Sequence, residues 1–403
     1  MSAPGLIKRP LLPGRLAAFL GIALIALGLR SAVSSFAPMM HEIEQDIPFT
    51  EVTYGIFGML APLTFAISGA FTPWLSRKLS LEWAAVLAAA FMGVGQLLRG
   101  FAGDTASFFL YSIAGMMGIG AANVLLPPLV KRFFPDRIPL VSQLYLVLAV
   151  VSSIFPPFFA VPLADATSWR FSIAAWSIIE IIAVVPWLFT LGKERGDTTH
   201  LQPVVHVPGL AGKVWRHPTT WALTLGFAVA SFNTYVMFAW LPTLLIERAG
   251  ITPIIAGILL SLYCAVPVLN SFVLPRLVAR MNNLGILYGV ASAFFLTGYL
   301  GLFFFPGAGT WFWVFCAGAG PMLFSITLVG INYRSQTQAG AVVLSGQVQG
   351  MGYLLGALGP LAVGFMRSAG LSWDAVLIMC IISVFVAIGA AFGLRRKRYV
   401  DAD

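Results

Sequence analysis

The chain has 403 residues, 59% of them hydrophobic and only 10% charged, and its mean hydropathy is +0.89. Soluble domains carry about 25% charged residues, so a water-soluble globular fold is excluded. The net charge of +9 therefore has to be explained on a chain that lives in lipid.

A helix needs about 20 residues to cross the roughly 30 Å hydrocarbon layer. Twelve apolar runs reach that length, at 15–40, 51–75, 82–101, 105–131, 138–164, 168–191, 218–246, 252–278, 283–305, 310–332, 338–366 and 372–394. Little chain is left between them, so loops are short and no soluble catalytic domain fits. The reading is an all-α polytopic membrane protein with twelve transmembrane helices. The first run follows the basic stretch MSAPGLIKRP, as a secretory leader would. It is too long for a leader and has no small-residue cleavage site before Pro38, so it is read as a permanent span.

That first run contains LGLRSAVSSFAP, which places Arg30 well inside the apolar segment. An arginine at the centre of a membrane helix costs about 2.5–3.5 kcal/mol on insertion scales. Eight residues separate it from Pro38, roughly 12 Å at 1.5 Å per residue, which is far to snorkel. Arg30 either fixes packing through carbonyls or a carboxylate, or it faces a watery cavity and attracts an anionic solute. Ser34, one turn on, shares its face.

Further along, Asn123 lies in the fourth run, and Gln143 and Tyr145 lie in the fifth. Glu180, in AAWSIIEIIAVV, is the lone carboxylate at the middle of a span. A buried glutamate is often protonated, so it is either a neutral packing group or a proton-coupling site. The long segment GKERGDTTHLQPVVHVPGLAGKVWRHP then divides the runs six and six. Beyond it, Asn233 and Tyr235 are polar positions of the seventh run and Asn270 of the eighth. Trp240, before Pro242, is expected to anchor at the membrane interface. In the eleventh run Gln349 and Tyr353 are four residues apart on one helical face, and Gly352 and Gly356 form a small-xxx-small strip.

Lysine and arginine set the orientation. With the N-terminus inside, 19 of the 24 basic residues fall on one side, including the tail RRKR, and only Arg99, Arg170, Arg248 and Arg367 fall outside. Topology thus explains the net charge, and nucleic-acid binding is not expected. Cys264, Cys316 and Cys380 read as small buried hydrophobes, and the four histidines lie in loops or at span ends. No metal or cofactor is expected.

An offset of 204 brings Pro38 onto Pro242, Pro156 onto Pro360, Gln143 onto Gln347 and Tyr145 onto Gln349. This ordered set of matches indicates a duplicated six-helix unit, the two-halves plan of a secondary transporter with its site near mid-membrane. The expected organisation is an N-terminal bundle over 1–191, a cytoplasmic linker over 192–217 and a C-terminal bundle over 218–403.

LGLRSAVSSFAP, GIGAANVLLPPLVKRFFPDR, WLPTLL and VLSGQVQGMGYLLGALGP resemble the cyanate permease and 2-nitroimidazole exporter branch of the major facilitator superfamily. The resemblance spans the chain. It implies two six-helix bundles rocking about a central site and, by position, points to Arg30, Asn123, Tyr145, Gln349 and Tyr353. Ser31 stands where the family often has proline, and the loop after the second span, TPWLSRKLSLEW, lacks the family's aspartate.

The expected function is secondary active transport of a small polar, anionic or weakly acidic solute across a bacterial inner membrane, by alternating access. Arg30, Ser34, Asn123, Tyr145, Asn233, Tyr235, Gln349 and Tyr353 are the solute-binding candidates, and Glu180 is the proton-coupling candidate. No P-loop supports ATP drive. The expected partners are the solute, the bilayer and, if Glu180 couples, a proton; the chain is expected to be a monomer. Two alternatives stay open. One is multidrug or nitroaromatic efflux, favoured by Glu180 and the 32 phenylalanines. The other is a membrane-embedded enzyme acting on lipid, for which the short loops supply no catalytic cluster.

Overall fold

The computed structural model describes residues 15–193, 209–281, 283–396 and 398–401. Among the described residues the regular structure is entirely helical. Eleven helical units are long and apolar enough to cross a membrane. The twelfth, the eighth in chain order, runs over Pro253–Arg280, and its apolar part is Pro253–Leu269. Most of the expected linker, 194–208, lies outside the described residues.

Local sequence sets many of the helix starts. Thr50, Ser80, Asp104 and Ser168 each accept from the backbone N–H three residues on, and Asp104 with Ser107 completes a capping box. The seventh span, Pro218–Ala249, stops at Gly250, whose φ of 64° suits a residue without a β-carbon.

Three spans are interrupted. The first consists of Leu16–Gly28, a short helix Ser31–Ser34, a 3-10 turn Ala37–Met39 and a final helix Met40–Asp46. The sixth falls into Trp169–Ala174, Ser177–Ile182 and Val184–Lys193, and the tenth into Thr310–Ala319 and Met322–Tyr333. Such breaks survive in lipid only where protein or a cavity satisfies the freed backbone groups.

The duplication is visible in a tryptophan–carboxylate pair that recurs in each bundle. Trp169 Nε1 donates to Asp46 at 2.9 Å while Arg170 pairs with Asp46 at 3.3 Å. In the second bundle Trp373 Nε1 donates to Glu247 at 2.8 Å, repeating the tryptophan–carboxylate pair, while the arginine on Glu247, Arg367 at 2.7 Å, comes from the end of the eleventh span rather than from the twelfth. Trp169 and Trp373 are 204 residues apart. Both clusters sit at the membrane face opposite the chain termini, the distal face.

At the terminal face, Arg15 pairs with Asp136 at 2.6 Å and Arg132 with Glu82 at 3.0 Å. Glu82, within the loop stretch that lacks the family's aspartate, therefore ties the third span to the fourth inside one bundle. In the second bundle Arg334 donates to the carbonyls of Arg396 and Leu394, and Asp401 accepts from Gln336, Thr337 and the Thr337 hydroxyl. Burial opposes ionisation of Asp401, but these donors outweigh it and hold its carboxyl below the usual range. Leu394, Arg396 and Asp401, which follow the last span, are thus held against their own bundle.

The seam between the bundles is tight towards the distal face. A β-carbon on Gly58 would stand 2.5 Å from Pro360 Cβ and 2.8 Å from Ala239 Cβ; one on Gly55 would stand 2.8 Å from the Pro360 carbonyl. The fifth and eighth spans meet likewise, through Gly257 against the Pro157 carbonyl and Ser261 Oγ donating to Ile154 at 2.8 Å. Towards the terminal face the same two seam helices loosen. A β-carbon on Gly69, Gly346 or Gly350 would meet nothing within 4 Å among the described residues.

Candidate solute-binding site

Arg30 sits at the break in the first span, with a non-helical φ of −128° and ψ of −9°. Its backbone N–H, left without a helical acceptor, donates to Ser152 Oγ of the fifth span at 3.1 Å. Its side chain crosses the seam: Nη1 donates to the Tyr235 hydroxyl at 3.4 Å, and the guanidinium lies 5.6 Å from the centre of the Phe65 ring. Tyr353 completes the group, its ring 5.8 Å from Phe65 and 6.5 Å from Tyr235. One cation and three aromatic rings thus come from spans one, two, seven and eleven, two in each bundle. Among the described residues no carboxylate stands within ion-pair distance of Arg30. The half-buried guanidinium, with one N–H given to Tyr235, leaves up to four further N–H donors at the seam.

The other predicted residues are not all there. Ser34 is on the same segment, but its hydroxyl donates back to the Arg30 carbonyl at 3.0 Å. Asn123 donates to the Ile119 carbonyl of its own helix, and Gln349 donates to Ser345 Oγ at 2.7 Å. Tyr145 is half-buried on the fifth span. Asn233 faces away from the seam: its amide donates to Val229 and, at 2.9 Å, to Ser383 of the twelfth span. Two residues along an α-helix turn its face by roughly 200°, so Asn233 and Tyr235 cannot share one surface. The Asn270 side chain lies outside the described ones.

Trp240 corrects its expectation as an interfacial anchor. It is 1% exposed, donates to the Pro360 carbonyl at 3.2 Å and lies 6.0 Å from Tyr54 across the seam. The strip at Gly352 and Gly356 lets the eleventh span close on Phe227 and Ser231 of the seventh. All three cysteines are buried, as expected.

Glu180 lies behind the broken segment, fully buried. Its Oε1 accepts from Ser31 Oγ at 2.6 Å, while Oε2 has no partner among the described residues. The break brings its carboxyl close to the first span, because a β-carbon on Gly28 would stand 2.7 Å from Glu180 Cγ.

Arg99 is the residue that sequence reasoning misplaced. Read as an outer-face charge, it is 1% exposed and donates to the Ala32 carbonyl at 2.7 Å and to Gln96 Oε1 at 3.0 Å. Its burial follows from the same break, which supplies a carbonyl to bind. The signal was Gln96, three residues earlier on the same helical face.

A twelve-helix bundle pair with a cation at its seam has a counterpart among known proteins. The Major Facilitator Superfamily profile matches residues 18–360. The chain belongs to that superfamily. Its members are membrane transporters, and this chain is a multi-pass transporter of that fold. It is 28% identical over 384 residues to the 2-nitroimidazole transporter of Escherichia coli (strain K12), covering 94% of this chain and 95% of the relative. It is 23% identical over 379 residues to the cyanate transport protein CynX of the same organism, covering 91% and 94%. These relatives are of the branch that the sequence motifs resemble. In fold it is similar to a bacterial homolog of the human lysosomal transporter Spinster, crystallised inward-facing and unoccupied. The TM-score is 0.76 at 14% identity, over 98% of this chain and 100% of that one.

Proposed function

We propose that this transporter carries a small anionic or weakly acidic solute by alternating access, with Arg30 as the binding cation. The observation that carries this reading is the Arg30 guanidinium, held at the seam by Tyr235 and by no carboxylate among the described residues. An uncompensated cation at mid-membrane is tolerated best where hydration or a ligand neutralises it. The flat guanidinium and the rings of Phe65, Tyr235 and Tyr353 suit a planar anion. The tight distal seam and looser terminal half support a state open towards the termini. With the termini cytoplasmic, as the basic residues favour, that state is inward-facing in a bacterial inner membrane.

Glu180 is proposed to couple transport to protons, since its carboxyl is bonded one residue from Arg30. A nitroaromatic solute is the second reading, favoured by the aromatic group around Arg30; the printed name of the 2-nitroimidazole relative agrees with it. Thermal-shift measurements on detergent-solubilised protein separate the two. Cyanate, formate and small carboxylates should stabilise the protein in an Arg30-dependent way, and neutral 2-nitroimidazole should not. Stabilisation by 2-nitroimidazole alone would select the second reading, and an anion response that survives Arg30→Ala would remove Arg30 from the site.

A further inference from the structure

Arg99 has more donors than its role in holding Ala32 uses. Its bonds to Ala32 and Gln96 both leave from Nη1, and Gln96 is fixed in turn by donating to the Ile173 carbonyl at 2.7 Å. Nε and Nη2 are buried and have no partner among the described residues. The rings of Phe108 and Phe36 lie 5.0 and 5.7 Å from the guanidinium. Among the described residues no carboxylate reaches ion-pair distance of Arg99; the Glu180 carboxyl is bonded to Ser31 instead.

This guanidinium lines a cavity of about 20 Å³ in the seam, together with Phe36, Phe57, Gly58, Tyr235 and Ala239. Of the side chains lining it, only Arg99 and Tyr235 carry nitrogen or oxygen. The Tyr235 hydroxyl already accepts from Arg30, so its own hydrogen is available to donate. A cavity whose polar groups are a cation and a hydroxyl donor selects an anion, and a buried charge without a counter-charge is costly. The volume suits an occupant of about one water molecule. Gly58 and Ala239, which touch across the seam, form part of its wall, so parting of the distal seam would open it.

We propose that Arg99 is a second anion-binding residue of this transporter, distinct from Arg30 and set on its distal side. In the closed seam it takes a monovalent anion of halide size. When the seam parts, Arg99 becomes a cation on the distal approach to Arg30. That last step rests on the proposed function; the halide site does not.

Bromide tests the site directly. Crystals of the full chain grown in sodium bromide should show anomalous scattering within hydrogen-bonding distance of Arg99 Nε or Nη2. That peak should persist in Arg30→Ala and vanish in Arg99→Gln. In solution, the thermal stabilisation by sodium bromide over sodium gluconate at equal ionic strength should follow the same pattern. Arg99→Lys, which keeps a charge and a donor for Ala32, should fold and weaken bromide binding about tenfold; it carries the test if Arg99→Gln does not fold. A peak at Arg30 alone, or a bromide effect untouched in a folded Arg99→Lys protein, would overturn the proposal and leave the Arg30 reading standing. A peak at Arg99 combined with no anion response at Arg30 would do the reverse.

Discussion

Ser31 donates its hydroxyl hydrogen to Glu180 at 2.6 Å, while its neighbour Arg30 donates across the seam to Tyr235. Adjacent residues of one broken helix therefore connect an acid buried in the first bundle to a cation shared with the second. Any change in the Glu180 bond is felt one peptide away from the proposed binding charge.

The first prediction concerns that acid. Glu180→Gln keeps a carbonyl oxygen for Ser31, so the protein should fold. In proteoliposomes loaded with cyanate, proton-driven accumulation should fall at least about tenfold while solute exchange, which moves no net proton, continues. Unchanged pH dependence of uptake would return Glu180 to a packing role. Ser31→Ala removes the donor and leaves a buried carboxyl without a bond. It should lower the melting temperature more than Glu180→Gln does.

The second concerns the cation. A hydrogen bond to a charged group contributes about 1.5–3 kcal/mol, so Arg30→Ala should weaken anion binding about 10- to 100-fold. Arg30→Lys keeps the charge but loses the planar fork and should fall between the two. Isothermal titration with cyanate on protein of unchanged melting temperature measures both. Near-normal affinity in Arg30→Ala would leave Arg30 as a packing residue.

Tyr235→Phe gives the third. The ring contacts to Phe65, Phe238 and Tyr353 remain and only the hydroxyl that meets Arg30 is lost. Its partner is a charged guanidinium, for which a bond contributes about 1.5–3 kcal/mol, but at 3.4 Å this one is long, so affinity should fall about tenfold or less with stability nearly intact. An equal loss in melting temperature and affinity would show that the hydroxyl serves the fold rather than the solute.

Closure of the seam is the subject of the fourth. Gly58→Leu places a side chain where a β-carbon alone would already stand 2.5 Å from Pro360 Cβ. The distal half should then fail to close, and a cysteine placed at Ala239 should gain reactivity towards a membrane-impermeant maleimide added from that side. Transport should fall with it. Unchanged labelling would mean that the helices shift to absorb the side chain and that the glycine contact does not control closure.

The fifth uses the docked tail. The folded-state carboxyl of Asp401 is held below its usual range, so its contribution is present above the unfolded value near 3.9 and lost as pH falls through the lower folded value. The protection factors of the Gln336 and Thr337 amides, taken against the intrinsic exchange rate at each pH, should therefore be high at neutral pH and fall in acid. In Asp401→Asn the weaker acceptor should give faster exchange at neutral pH, with the spans unaffected.

Composition and hydropathy alone determined that this chain crosses the membrane many times, because the bilayer imposes its cost residue by residue along the chain; the 204-residue offset added the duplicated plan, and the motifs added the transporter family. Arg30 and Glu180 stood out for the same reason: a charge inside an apolar run has to be accounted for wherever the helix packs. What the sequence could not reveal is which way a side chain faces once helices pack and breaks open. Asn233 and Tyr235 are equally polar and two residues apart, yet one bonds within its bundle and the other reaches the seam. Trp240 seals that seam rather than a membrane interface. Arg99, two residues from the end of its apolar run, looked like a solvated charge. It is buried because the first span breaks beside it and offers the Ala32 carbonyl. That break is a tertiary event, stabilised by Ser152, Glu180 and Arg99 from three other helices, and no local pattern around Arg30 encodes it.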